Sequence, residues 1–187
     1  MVKVNSCVFI SGAGTNLSAL IKNSRNYNFP INIKLVVSNK KNAAGLKIAK
    51  KFSIPLKIID TNSSLFEINI LNEIRKRKIN LICLAGYMRI LSKNFIKNFK
   101  GKILNIHPSL LPKYKGTKTF EKILKNQEKI TGCTVHYVND KLDSGKIILM
   151  KKVNISKKDN IKSLKKKTQS VEYKAYSEAI IRIFRKF

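Results

Sequence analysis

The sequence contains no tryptophan, three cysteines, two histidines, four prolines, and ten acidic residues against 39 basic ones. Cys7, Cys83 and Cys133 lie far apart, show no CxxC spacing and sit in apolar stretches. That pattern points away from a disulfide framework and toward buried thiols in a reducing cytoplasm. No His, Cys and Asp spacing suggests a metal site. Long apolar runs are also missing. "LICLA" and "IILM" fall far short of the roughly 20 residues that span a bilayer, so no membrane partner is expected. The opening "MVKVNSCVFISGAG" is too brief for a secretory h-region and reads as a first strand, which places the chain in the cytoplasm.

The shortage of acidic residues leaves a formal net charge of +29. Clustered lysine and arginine would suit a nucleic-acid partner. Here the lysines run along the whole chain among abundant Asn and Ile, and the densest run, "SLKKKTQS", is short. This reads as compositional drift on solvated positions rather than as a nucleic-acid surface. Attraction of anionic small molecules follows in either case.

What is present suits one domain over residues 1–187, with 43% hydrophobic residues and no linker or repeat. Strands are predicted at Lys3–Ile10, Asn32–Ser38, Leu56–Ile59, Leu81–Ala85, Lys102–Ile106, Cys133–Val138 and Ile147–Val153. Helices are predicted at Asn16–Asn23, Ala44–Phe52, Ser64–Lys78 and Lys93–Phe99, with a last one from about Asp159 as N-cap. Strand–helix alternation with continuously apolar strands implies an α/β fold: an open, mostly parallel twisted sheet of about seven strands with helices on both faces. The last two strands are expected to pair antiparallel across "NDKLDSGK". In such sheets the crevice lies beyond the carboxyl ends of the strands, at the topological switch.

Two motifs fall at strand ends. "ISGAGTNLSAL" turns through Gly12, Gly14, Thr15 and Asn16 straight into a helix, whose free N–H groups favour an anion. Leu17 stands where a dinucleotide fingerprint has its third glycine, so a single phosphate fits better than a dinucleotide. A capped turn with no ligand fits equally well. In "ILNIHPSLLPKYKGT", Asn105 and His107 alternate with Leu104 and Ile106 and so share one face. Pro108 ends the strand. The loop "NDKLDSG" then offers Asp140 and Asp143, and a carboxylate beside His107 would raise its pKa and orient the ring. An amide, an imidazole and a carboxylate suit acyl transfer to an amine through an oxyanion. The competing reading makes His107 a hydrogen-bonded strand-end residue. His136, inside "CTVHYV", is read as structural, and mid-strand Cys83 and Cys133 make poor nucleophiles.

Taken together, "ISGAGTNLSAL", "LAGYMRILS", "LNIHPSLLPKYKG", "TGCTVHYVNDKLDSG" and "TQSVEYKAY" resemble the glycinamide ribonucleotide formyltransferases, in family order and across nearly the whole chain. The resemblance implies a Rossmann-like formyltransferase fold and transfer of a formyl group from 10-formyltetrahydrofolate to the glycine amine of glycinamide ribonucleotide. It implies that Asn105, His107 and Asp143 are catalytic, with His107 as general acid. Gly14, Thr15, Asn16, Gln169, Ser170, Val171 and Glu172 would bind the ribonucleotide. Met88, Arg89, Ile90, Leu91, Asn105, Asn139, Asp140, Lys141, Leu142 and Asp143 would bind the folate. The partners implied are these two small molecules, with the chain a monomer or a homodimer. The sequence departs from the family pattern at Lys115–Phe120, where two histidines are lost, and at Ser63, where a basic residue is common. Rival readings are a methionyl-tRNA formyltransferase, disfavoured because no second domain is expected for tRNA, a formyltetrahydrofolate hydrolase, and a non-catalytic RNA-binding protein on the same scaffold.

Overall fold

In chain order the elements are β1 (Val4–Ile10), α1 (Thr15–Ser24), β2 (Ile31–Ser38), α2 (Gly45–Lys51), β3 (Leu56–Ile58), α3 (Phe66–Lys76) and β4 (Leu81–Leu84). Then follow α4 (Lys93–Asn98), β5 (Lys102–His107), α5 (Thr119–Lys125), β6 (Ile130–Tyr137), β7 (Ile147–Asn154) and α6 (Ile161–Phe184). The coordinates are a computed structural model that describes residues 2–59 and 65–184. Ser63 and the expected start of the third helix at Ser64 lie outside the described residues.

The seven strands form one sheet in the order β3-β2-β1-β4-β5-β6-β7. From β3 to β5 all neighbours are parallel. Both β5–β6 and β6–β7 are antiparallel, so the expected hairpin-like edge is present and begins one strand earlier than expected. The chain moves outward from β1 in one direction through β2 and β3, then returns to start β4 on the other side. That reversal between β1 and β4 opens a crevice at their carboxyl ends.

Alternation along the strands sorts side chains onto two faces. Val8, Ile10, Cys83, Leu104, Ile106, Cys133 and Val135 pack with Leu17, Leu20 and Ile21 of α1, Leu46 and Ala49 of α2, and Ala175, Tyr176, Ala179 and Ile180 of α6. Cys7, Phe9, Ile82, Leu84 and Ile103 pack on the opposite face with Ile70, Leu71 and Ile74 of α3 and Phe95 of α4. Burying such a side chain contributes about 1.5–3 kcal/mol. All three cysteines are free and buried, and burial pushes the Cys83 thiol up to about 12. Among the described residues no helix is long and apolar enough to cross a membrane.

Two expectations are corrected. Helix α5 was not anticipated, because "TFEKILK" is too short to establish a helical period. It forms because Ile123 is fully buried. Helix α6 is capped by Asn160 rather than Asp159: Asn160 Oδ1 accepts from Ser163 N at 2.9 Å, while Asn160 N donates to Ser163 Oγ at 3.0 Å. This reciprocal pairing is a capping box closed by serine. Asp159 instead accepts from Ser156 N, Ser163 Oγ and Lys167 Nζ, which holds its carboxyl down at about 2.

Candidate active site

The turn after β1 is shaped by backbone contact. Gly14 takes φ 73° and ψ 27°, a left-handed conformation, as N-cap of α1. A Cβ there would meet Gly45 Cα at 2.5 Å. Gly45 N donates to Gly12 O at 3.0 Å, so the turn is braced on the first residue of α2. The first N–H groups of α1 lack intrahelical partners by geometry, and Gly12 to Asn16 line the cleft. Asn16 Nδ2 donates to Glu172 Oε2 at 2.8 Å, tying α1 to α6 in a buried pair. Burial raises the Glu172 carboxyl against the opposing pull of Asn16 and Lys165. Asn16 Oδ1 is buried without a partner.

At the far end, the face that buries Ile103 carries Asn105 and His107 beyond the cover of α3 and α4. Antiparallel register sets Asn105 opposite His136 and His107 opposite Thr134. Opposed residues share a face, so the strands deliver Asn105, His107 and His136 together. Asp143 comes to them from the β6–β7 loop with φ 45°. Its Oδ2 lies 3.3 Å from His107 Nδ1 and accepts from Gly116 N at 2.9 Å. Its Oδ1 lies 3.4 Å from Asn105 Nδ2 and 3.7 Å from His136 Nε2. Asn105 Nδ2 also stands 3.3 Å from His136 Nε2, whose other nitrogen meets the Tyr137 carbonyl at 2.8 Å. His136 was expected to be structural. It is a full member of this cluster, and the register that brings it there is invisible from its own strand.

The expected upward pull of Asp143 on His107 is present, but it does not set the net direction. Burial pushes the His107 pKa below its ordinary value, and it outweighs the opposing contributions of the Tyr114 carbonyl and Asp143. Burial works to raise Asp143, yet hydrogen bonds from His136 and Gly116, together with the two imidazoles, hold it below the usual carboxylate range. The pair therefore favours an ionised carboxylate beside a ring that resists protonation.

A cavity of about 740 Å³ connects the glycine turn to this cluster. Met88, Arg89, Ile90, Leu91, Asn139, Asp140, Lys141, Leu142, Gln169 and Glu172 line it as well. Met88 and Ile90 are 71% and 72% exposed, giving an apolar wall facing solvent. Met88 N donates to Ser11 Oγ at 2.8 Å, fixing that wall to the end of β1. The Arg89 guanidinium lies over the Phe66 ring at 4.8 Å. Asp140, at the rim of the cleft, pairs with Lys93 at 3.8 Å. Of the altered loop at Lys115–Phe120, Gly116 to Phe120 line the cleft, while Lys115 Nζ donates to Ser144 Oγ at 2.5 Å.

Ser170 and Val171 do not line the cleft. The helix presents Ile161, Lys165, Gln169 and Glu172 to it, spaced by four, four and three residues, and the intervening positions turn away. Ser170 Oγ donates to the Lys167 carbonyl, and Val171 packs on the core. Lys118 lines the cleft as part of the altered loop, and Lys165 lines it without a signal in the sequence, since one more lysine in so basic a chain does not stand out. Among the described residues no group of His, Cys, Asp and Glu is placed to hold a metal ion.

A doubly wound α/β sheet whose switch-point crevice joins a glycine turn at a helix N-terminus to an amide–imidazole–carboxylate cluster is the framework of a group-transfer enzyme. Residues 4–180 match the family described as formyl transferase, and the chain belongs to that family. It is 40% identical over 173 residues to the phosphoribosylglycinamide formyltransferase of Haemophilus influenzae, covering 90% of this chain and 82% of that protein. It is also 40% identical over 182 residues to the trifunctional purine biosynthetic protein adenosine-3 of Gallus gallus, covering 95% of this chain but 18% of that protein. Thus the chain spans less than a fifth of the trifunctional relatives it matches. The crystal structure of phosphoribosylglycinamide formyltransferase from Brucella melitensis superposes with a TM-score of 0.92 at 35% identity, covering 99% of this chain and 97% of that one.

Proposed function

We propose that the chain transfers the formyl group of 10-formyltetrahydrofolate to the glycine amine of phosphoribosylglycinamide, a step of purine biosynthesis. The observation that carries this reading is the continuity of one cavity from Gly14 to Asp143, with Asn105, His107 and His136 between. The folate supplies a formyl carbon that the amine attacks, and collapse breaks its bond to the folate nitrogen as a proton passes from amine to that nitrogen.

The residues of the chain stabilise and time that exchange. The amide of Asn105 makes only long contacts, 3.3 and 3.4 Å, and is free to turn toward an oxyanion. One such donor is worth roughly 100- to 1,000-fold in rate. His107 Nε2–H is committed to the Tyr114 carbonyl at 2.8 Å, which leaves Nδ1 as the nitrogen that exchanges a proton beside Asp143. Burial keeps this ring from holding its proton too firmly, and the Asp143 carboxylate stabilises the imidazolium when it forms. Gly14, Thr15 and Asn16 hold the phosphate through the α1 N-terminus, and Gln169 and Glu172 meet the glycinamide and ribose. The apolar wall of Met88, Ile90 and Leu142 suits the pterin, with Asn139 to Asp143 closing over it.

The test is a transfer assay with purified protein, 10-formyltetrahydrofolate and two acceptors, phosphoribosylglycinamide and charged initiator tRNA. Formylation of the ribonucleotide is expected. Activity on the tRNA alone would overturn the proposal.

A further inference from the structure

His107 Nε2 is engaged by the loop that follows β5 rather than by Asp143. It donates to the main-chain carbonyl of Tyr114 at 2.8 Å. That carbonyl is aimed by a strained residue, since Tyr114 has φ 59°, a conformation that bulky side chains avoid. Something outside the backbone must hold it there.

The side chain of the same residue supplies the hold. Tyr114 Oη donates to Glu128 Oε1 at 2.6 Å and accepts from Asn126 Nδ2 at 3.0 Å. Lys113 Nζ reaches the same Glu128 oxygen at 2.9 Å. Glu128 is itself placed by the end of α5, its N–H donating to the Ile123 carbonyl at 3.3 Å. On the other side of Tyr114 the loop is pinned to β6: Ser109 Oγ donates to Lys113 O at 2.6 Å, and Thr134 Oγ1 donates to Ser109 O at 2.7 Å. Tyr114 is thus clamped at both its backbone and its ring, and Glu128 is the one carboxylate in the clamp.

We infer that Glu128, acting through Tyr114, is a positioning residue for His107: it holds the carbonyl that selects the ring's Nε2–H tautomer and leaves Nδ1 to exchange a proton beside Asp143. The groups facing the ring are then the Tyr114 carbonyl from this loop, Asp143 from the β6–β7 loop, and His136 from β6. The carbonyl and Asp143 favour the protonated ring, while burial and His136 oppose it. Releasing the carbonyl therefore moves the His107 titration further down and frees the ring to rotate. The Tyr114 and Lys113 hydrogen bonds, in turn, hold the Glu128 carboxyl below its ordinary range.

The chain has two histidines, so proton and nitrogen NMR resolves His107 from His136 directly. Glu128→Ala and Tyr114→Phe are each expected to shift the His107 titration downward and to change its Nε2 nitrogen signal. Glu128→Gln keeps an acceptor oxygen and should restore most of the wild-type titration. The kinetic arm rests on the formyl-transfer reading: kcat in Glu128→Ala should fall about ten- to a hundredfold with KM little changed, as expected for a displaced catalytic group. If the wild-type protein transfers no formyl group, that reading fails while the titration still decides the inference. A folded Glu128→Ala or Tyr114→Phe protein in which His107 titrates and resonates as in wild type overturns it.

Discussion

Asn105 on β5 stands directly opposite His136 on β6, and the amide nitrogen of the first lies 3.3 Å from Nε2 of the second. Antiparallel pairing at the end of an otherwise parallel sheet makes this possible. A parallel β6 would have brought a different set of residues to that face. The reversal at β5 is therefore what completes the polar cluster around Asp143.

His107→Ala should lower kcat by roughly 100- to 10,000-fold, the range for a placed acid–base group, while changing KM little. Steady-state formyl transfer measures both. A turnover number equal to wild type would remove His107 from the chemistry.

Acid should destabilise the fold through His107 and Asp143. The His107 pKa is lowered by burial, against Tyr114 and Asp143, so the unfolded chain, near 6.5, takes its proton first. Stability then drops as pH falls from about 6.5 toward the lower folded value. Asp143, despite burial, is held low by His136 and Gly116, and its contribution is full above about 3.9 and lost as pH falls through its lower folded value. Glu172, raised by burial, works in the opposite sense. Urea midpoints measured from pH 8 to 4 should show the upper part of the slope in wild type and its loss in His107→Asn. Identical slopes in the two proteins contradict this assignment.

Gly14→Ala should cost about 1–2 kcal/mol for the left-handed conformation alone, and more because its Cβ would press on Gly45 Cα at 2.5 Å. Under the proposed function, retreat of the turn also withdraws the α1 N–H groups from the ribonucleotide phosphate. Both a lower urea midpoint and a raised KM for the ribonucleotide are expected, with the folate KM the internal control.

Tyr176→Phe should cost about 1–2 kcal/mol. Tyr176 is buried, and its hydroxyl lies 3.1 Å from the carbonyls of both Leu84 and Leu104, bridging β4 and β5 just before the site. Calorimetry should show a lower Tm. An unchanged Tm means the two carbonyls find other partners.

Much of the architecture was legible along the chain. Apolar runs such as "LICLA" predicted strands buried on both faces, and β4 is buried throughout. The period-two pattern of "ILNIH" placed Asn105 and His107 on one face, where the structure has them. Short α5 was not legible, because seven residues hold barely two helical turns. Asp159 and Asn160 are both good caps, and only the Ser163 pairing separates them. The run Gln169 to Glu172 looked like one ligand-facing block. A helix turns about 100° per residue, so Ser170 and Val171 leave the cleft that their neighbours line.

By itself the sequence determined the alternation of strands and helices, the glycine turn opening α1, and the shared face of Asn105 and His107, because each depends on spacing within a few residues. The tertiary structure alone decided that His136 joins them, that Asp143 reaches both rings, and that His107 sits below its ordinary pKa. Those outcomes depend on register between strands distant in the chain and on how much water a closed core excludes, and neither quantity is local to any stretch of sequence.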